Sequence, residues 1–137
     1  MSIFIDTGVM VASFNSRDEL HLTAKTLMQS VFDKAFGNAF TSDYVIDEGT
    51  TLTFARTHDR TLSNSFLENS LNSNSLFEIL YTSEEDFIET AKEYLKEKEL
   101  SFTDCSILVL MKKHGIKNIA TFDSGFRKIK GISVIEK

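Results

Sequence analysis

Ser2-Ile3-Phe4-Ile5-Asp6 is a short apolar run that ends on a carboxylate. A run this brief and this apolar suits a strand buried on both faces, central in a parallel sheet, with Asp6 delivered at its carboxyl end. Working outward, Ser16-x-x-Glu19 has capping-box spacing. Ala24, Leu27, Met28, Val31, Phe32 and Ala35 then recur every three or four residues until Gly37, which predicts one amphipathic helix. Ala39-Phe40-Thr41 reads as a second strand, after which Ser42 or Asp43 caps a helix carrying Val45, Glu48, Leu52 and Ala55. Residues 63–75 hold nine Ser or Asn in thirteen positions, and these side chains compete for backbone hydrogen bonds, which weakens the case for a helix there.

Residues 76–81 read as a strand. Thr82-x-x-Glu85 then opens a helix expected to turn Phe87, Ile88, Ala91, Tyr94 and Leu95 toward the core and its acids outward. Another helix begins near Thr103-Asp104, carries Ile107, Leu108 and Met111, and stops at Gly115. Asn118-Ile119-Ala120-Thr121 and Ile132-Ser133-Val134-Ile135 are the last strands. Short strands alternating with helices predict an α/β fold, a mostly parallel sheet covered by helices on both faces, formed as a single domain over residues 1–137.

The composition is that of a globular chain, 42% hydrophobic with 12 Phe. The single Cys105 has no internal disulfide partner, no segment has the organisation of a signal peptide, and no apolar run is long enough to span a bilayer, so the expected compartment is the cytoplasm. A net charge of −5 argues at first against a nucleic-acid partner. The distribution matters more than the sum: residues 84–99 carry seven acids against three lysines, whereas residues 111–130 carry Lys112, Lys113, Lys117, Arg127, Lys128 and Lys130 against only Asp123. Carboxylates gathered around a cation also lower the formal charge while the bound ion reverses its local sign.

In an open α/β sheet the crevice beyond the carboxyl ends of the strands is the natural site. Asp6 follows the first strand, Asp123 follows the strand ending at Thr121, Asp104 lies in the first turn of its helix, and Glu48 projects from another. Four acids so placed meet only if a hard divalent cation offsets their repulsion, which points to Mg²⁺ or Mn²⁺ and to phosphodiester hydrolysis by a metal-activated water. Each acid also has a plainer reading, since an Asp at a strand end or helix start is often a cap. Glu48 is the sharpest case, because an unpaired carboxylate between Ile46 and Leu52 on a largely buried helix is costly. Arg127, Lys128 and Lys130 follow Asp123 closely enough to steer RNA. Arg56, His58 and Arg60 read first as a solvated helix end, and Lys112, Lys113 and His114 as complements to a helix dipole.

Taken together, Ile5-Asp6-Thr7, Thr41-Ser42 followed by Glu48, Phe102-Thr103-Asp104 before an apolar helix and Gly115, and Thr121-x-Asp123-x-x-Phe126 resemble the four blocks of the PIN-domain nucleases, most closely the small VapC-type toxins. The resemblance covers nearly the whole chain, and the order and spacing of the blocks are more specific than any one of them. It implies a three-layer α/β/α sandwich in which Asp6, Glu48, Asp104 and Asp123 are metal ligands, with Thr7 and Thr121 as hydroxyls that orient them. It further implies an Mg²⁺/Mn²⁺-dependent endoribonuclease leaving 5′-phosphate and 3′-hydroxyl ends, a VapB-like antitoxin and a homodimer. The alternatives are an RNA-processing PIN nuclease with no antitoxin and a non-catalytic RNA-binding or assembly module. A haloacid-dehalogenase-type phosphatase fits poorly, since its second acid is expected where Gly8 stands.

Overall fold

The structure, a computed structural model, describes residues 1–72 and 76–137. Five strands, β1 (Ser2–Ile5), β2 (Asn38–Ser42), β3 (Glu78–Leu80), β4 (Asn118–Ala120) and β5 (Ser133–Ile135), form one sheet in the order β3-β2-β1-β4-β5, with all four pairings parallel. β1 is central, and Ile3, Phe4 and Ile5 are fully buried, as the unbroken apolar run requires. The helices are α1 (Thr7–Phe14), α2 (His21–Phe32), α3 (Asp43–Thr57), α4 (Arg60–Leu71), α5 (Glu84–Lys96) and α6 (Phe102–His114), with a 3-10 turn at Ser124–Lys128. The core joins the strand residues to Val9, Val11, Leu27, Val31, Ile107, Leu110, Met111 and Phe126.

The elements depart from the periodicity reading in several places. α1 follows Asp6 at once, and its buried Val9, Met10, Val11 and Ala12 leave no polar stripe for the sequence to betray. The Ser16/Glu19 capping box does not form. Asn15 and Asp18 take the N–H groups of Arg17 and Leu20 to make a turn, and α2 starts at His21 with no side-chain cap. It ends at Phe32, short of Gly37, whose φ of +78° and contact with the Met1 carbonyl exclude any side chain.

α4 forms within the Ser/Asn-rich stretch because its polar groups find partners. Asp59 caps it, the Ser63 hydroxyl donates to the Thr50 carbonyl, and that of Ser70 donates to the Phe66 carbonyl. The remainder of that stretch, residues 73–75, lies outside the described residues. On α5 the capping box is Ser83/Asp86, one residue beyond Thr82/Glu85, since Thr82 donates both its N–H and its hydroxyl to Asp43.

The orientation expected for α5 is overturned. Leu95 is 84% exposed, and Phe87, Ile88 and Tyr94 are about half exposed, while Asp86 and Thr90 are buried. The space beneath α5 is already filled by the apolar α6. The helix therefore docks through Asp86, which accepts from Lys113 Nζ at 3.2 Å, and through rings packed beside Phe102.

Candidate functional site

The β1–β4 register sets Ile5 beside Ala120, and the Asp6 N–H extends that ladder to the Ala120 carbonyl at 3.0 Å. The next residues along, Asp6 and Thr121, are thereby neighbours: the Thr121 hydroxyl donates to Asp6 Oδ2 at 2.6 Å. Asp6 Oδ1 accepts from the Thr7 N–H at 2.7 Å, so one buried carboxylate both closes the strand pair and caps α1. The Thr7 hydroxyl is buried with no hydrogen-bond partner among the described residues.

The other acids are placed by local chemistry of the same kind. Ser101 and Asp104 form a reciprocal capping box at the start of α6, which uses Asp104 Oδ2. Asp123 Oδ1 caps the 3-10 turn through the Gly125 N–H at 2.8 Å, and the Thr121 hydroxyl receives the Asp123 N–H at 3.0 Å. Glu48 stands half-buried one turn beyond Tyr44 on α3, and the Tyr44 ring stacks on Phe102 with centroids 6.3 Å apart, which brings that face of α3 to the start of α6. Three of the four acids therefore are caps. Asp104 Oδ1, Asp123 Oδ2 and both Glu48 oxygens make no hydrogen bond among the described residues.

Electrostatics ties the four together. Burial pushes the Asp6 carboxyl up to about 7 against the opposing bonds from Thr121 and Thr7, and the charges of Asp104 and Glu48 push the same way. Asp104 is raised as well, first by burial, against the Ser101 N–H, with Asp123 and Glu48 adding to the rise. Among the described residues no three acidic, His or Cys side chains close into a ready-made cation cage. The chemistry of the donor set nevertheless fits a hard divalent cation: clustered oxygen donors with free lone pairs, like charges that oppose one another's ionisation, and an orphaned buried hydroxyl beside Asp6.

The basic residues weighed in the sequence have other partners. Arg127 pairs with Glu136 and Lys128 with Glu99, whereas Lys130 lines a groove of about 980 Å³ with Lys112, Lys117, Ile116, Ile129 and Ile132. Arg56 pairs with Asp18, Arg60 lies over the Phe54 ring, and His58 ends α3 in the left-handed region. Cys105 is buried, and its thiol is pushed up to about 11 by burial and then by Glu97, Glu93 and Asp104, which leaves it inert at neutral pH. Ser101, which orients Asp104, is a site residue absent from the sequence reading although Ser101-x-x-Asp104 has capping spacing; the helix starts at Phe102, one residue before Thr103.

A parallel sheet in this order, flanked by helices, defines an open-sheet α/β protein. The PIN-domain family pattern matches residues 3–132, and the chain belongs to that family. Solved structures with the same fold include the Mycobacterium tuberculosis VapC20 toxin, described as sarcin-ricin loop cleaving. It has 24% identity and a TM-score of 0.79, over 91% of this chain and 92% of that one. Rickettsia felis VapBC2, bound to a DNA fragment from its promoter, has 14% identity and a TM-score of 0.68 over 98% of each chain. Neisseria gonorrhoeae FitAcB has 20% identity and a TM-score of 0.67, over 97% and 96%. No curated protein sequence matches the chain. Among the described residues no helix is long and apolar enough to cross a membrane.

Proposed function

We propose that this PIN-domain protein is a metal-dependent endoribonuclease that acts in the cytoplasm as the toxin of a toxin–antitoxin pair. What supports the reading is geometry at the carboxyl edge of the sheet: Asp6 is held by the Thr121 hydroxyl at 2.6 Å and Asp104 by the Ser101 capping box, and both carboxyls are raised first by burial, with the charges of Asp104 and Glu48 adding at Asp6 and those of Asp123 and Glu48 at Asp104. The toxin part of the reading draws support from structural neighbours that are VapC and VapBC proteins.

Asp6, Glu48, Asp104 and Asp123 would hold Mg²⁺ or Mn²⁺. A bound cation of this kind lowers the pKa of water and neutralises charge that builds on a phosphate in the transition state. The chain's own residues do the positioning. Thr121 and the Thr7 N–H hold both oxygens of Asp6, the Ser101 capping box holds Asp104, and the Gly125 N–H holds Asp123, so each of these carboxylates is oriented by a hydrogen bond from the chain itself. Glu48, with both oxygens free, is the carboxylate able to adjust to the ion or to an attacking water.

The test is cleavage of an end-labelled RNA by wild type, Asp6→Asn, Asp104→Asn and Asp123→Asn, with Mg²⁺, Mn²⁺ or EDTA, alongside thermal unfolding. Each variant and EDTA should abolish the cut, which leaves 5′-phosphate ends, and Mn²⁺ should raise the Tm of the wild type but not of Asp6→Asn. Cleavage that survives Asp6→Asn or EDTA rejects the reading. The toxin assignment is tested separately: a small protein encoded beside this one should copurify with it and suppress the cut.

A further inference from the structure

Asp6, Asp104 and Asp123 are each held by hydrogen bonds from the chain, whereas the Glu48 side chain accepts none among the described residues. What places Glu48 is therefore the helix it stands on. The residue beside it, Gly49, is buried in the middle of α3, where Gly is a poorer helix former than Ala and calls for a packing reason. That reason is Phe66 of α4. A Cβ on Gly49 would lie 2.5 and 2.7 Å from Cζ and Cε1 of the ring, and 3.5 Å from Cγ2 of Val11 on α1.

The ring has no room to swing away. Phe66 is 2% exposed, Phe14 stands edge-on to it with centroids 5.7 Å apart, and one turn earlier on α4 the Ser63 hydroxyl ties that helix to the Thr50 carbonyl at 2.9 Å. On another side of α3, Tyr44 stacks on Phe102 at the start of α6. α3 is thus lodged between a ring packed on its bare backbone and a ring stacked on its Tyr44.

We infer that Gly49 is a positioning residue for Glu48: its missing side chain lets Phe66 seat α3 at the depth that brings the Glu48 carboxylate to the cleft of Asp6 and Asp104. The inference rests on the metal-holding role proposed for Glu48. In the seated arrangement the Glu48 charge acts on both of those carboxyls. Magnitude decides that one methyl is enough to disturb it. Carbon atoms in ordinary contact lie about 3.5–4.0 Å apart, so a Cβ 2.5 Å from the ring drives α3 and α4 apart by roughly 1 Å. A misplacement on the order of 1 Å costs about a hundredfold in rate where reacting groups must be aligned.

The experiment reads Mn²⁺ affinity from the electron paramagnetic resonance signal of the free ion, separately from RNA cleavage, with far-UV circular dichroism alongside. Gly49→Ala should lower Mn²⁺ affinity about tenfold and cleavage about 10–100-fold, with an unchanged far-UV spectrum. Phe66→Leu should lower both by less. Gly49→Ala/Phe66→Leu should recover most of the loss, because the new methyl occupies the space that the ring atoms leave. In a Glu48→Gln background, Gly49→Ala should change Mn²⁺ affinity by less than about twofold, since the carboxylate through which it acts is already gone. A Gly49→Ala variant that binds Mn²⁺ as the wild type does overturns the inference. So does an equal loss with and without Glu48→Gln, which makes Gly49 a packing residue only. A wild type that binds no Mn²⁺ overturns the proposed function, and the inference with it. Should Gly49→Ala not fold, Phe66→Leu with and without Glu48→Gln decides by the same comparison.

Discussion

Asp6 uses both of its oxygens within the protein, and yet it is the group whose charge the fold tolerates least. With a folded pKa of about 7 against an ordinary 3.8, the folded state holds its proton through a range in which the unfolded chain has released it. Stability of the metal-free protein should therefore fall as pH rises from 3.8 to about 7 and level off above, by on the order of a few kcal/mol, with Asp104 acting in the same direction. Urea unfolding across that range should show the slope, and Asp6→Asn should remove most of it; an unchanged slope in the variant rejects the assignment. Asp86 behaves oppositely. Burial raises it, but the Ser83 N–H, Lys113 and the Ser83 hydroxyl more than offset that, so its stabilisation is present above the ordinary carboxylate range and lost only as pH falls through its lowered pKa. The Thr121 hydroxyl links strand geometry to chemistry. Thr121→Val should keep the fold but lower metal affinity and cleavage about 10–100-fold, with Thr121→Ser restoring most of it, as read by Mn²⁺ titration and RNA cleavage. Loss in Thr121→Ser with none in Thr121→Val would show that the methyl, not the hydroxyl, matters.

At the scale of elements, the helix starts build the site. Ser101→Ala removes half of the α6 capping box and should cost about 1 kcal/mol in equilibrium unfolding. Because the Ser101 N–H still holds Asp104, activity should fall less than in Asp104→Asn; a stability change near zero would mean that the box contributes little. Capping spacing finds the start of α3 at Ser42, but it passes over Ser101 and Asp59, slips by one residue at Ser83 and fails at Ser16. At Ser83 and Ser16 a neighbour had a better offer: Thr82 reaches Asp43 across β2 and β3, and Asn15 and Asp18 close a turn of their own. α1 escaped notice because a helix buried all round has no stripe. α5 was read correctly as amphipathic and wrongly as inward-facing, since a periodic pattern gives an axis but not a direction along it.

For the whole molecule, the sheet order predicts how stability is distributed. β1 has a partner on each side and fully buried side chains, whereas β3 and β5 are edges. Amides of Ile3, Phe4 and Ile5 and of Ile119 and Ala120 should exchange with deuterium most slowly, at the rate of global unfolding, and those of β3 and β5 by local opening. Faster exchange in β1 than in β5 would contradict the central placement of the first strand.

The sequence by itself determined the class of fold, because five short apolar runs separated by helical periods have few other solutions, and it marked Asp6, Asp104 and Asp123 from their places at the ends and starts of elements and Glu48 as a carboxylate within a largely buried helix. The tertiary structure alone decided what each of them touches. That Thr121 rather than any near neighbour holds Asp6 follows from the β1–β4 register, a contact between residues 115 apart that no local pattern encodes. That Arg127 meets Glu136 follows likewise from how the last strand returns, and that Lys128 meets Glu99 follows from where the 3-10 turn lies beside the residues joining α5 to α6. Periodicity records which residues share a face, while the volume already filled by other elements determines where that face is turned; for α5 that volume was taken by α6, and the apolar row was left facing out.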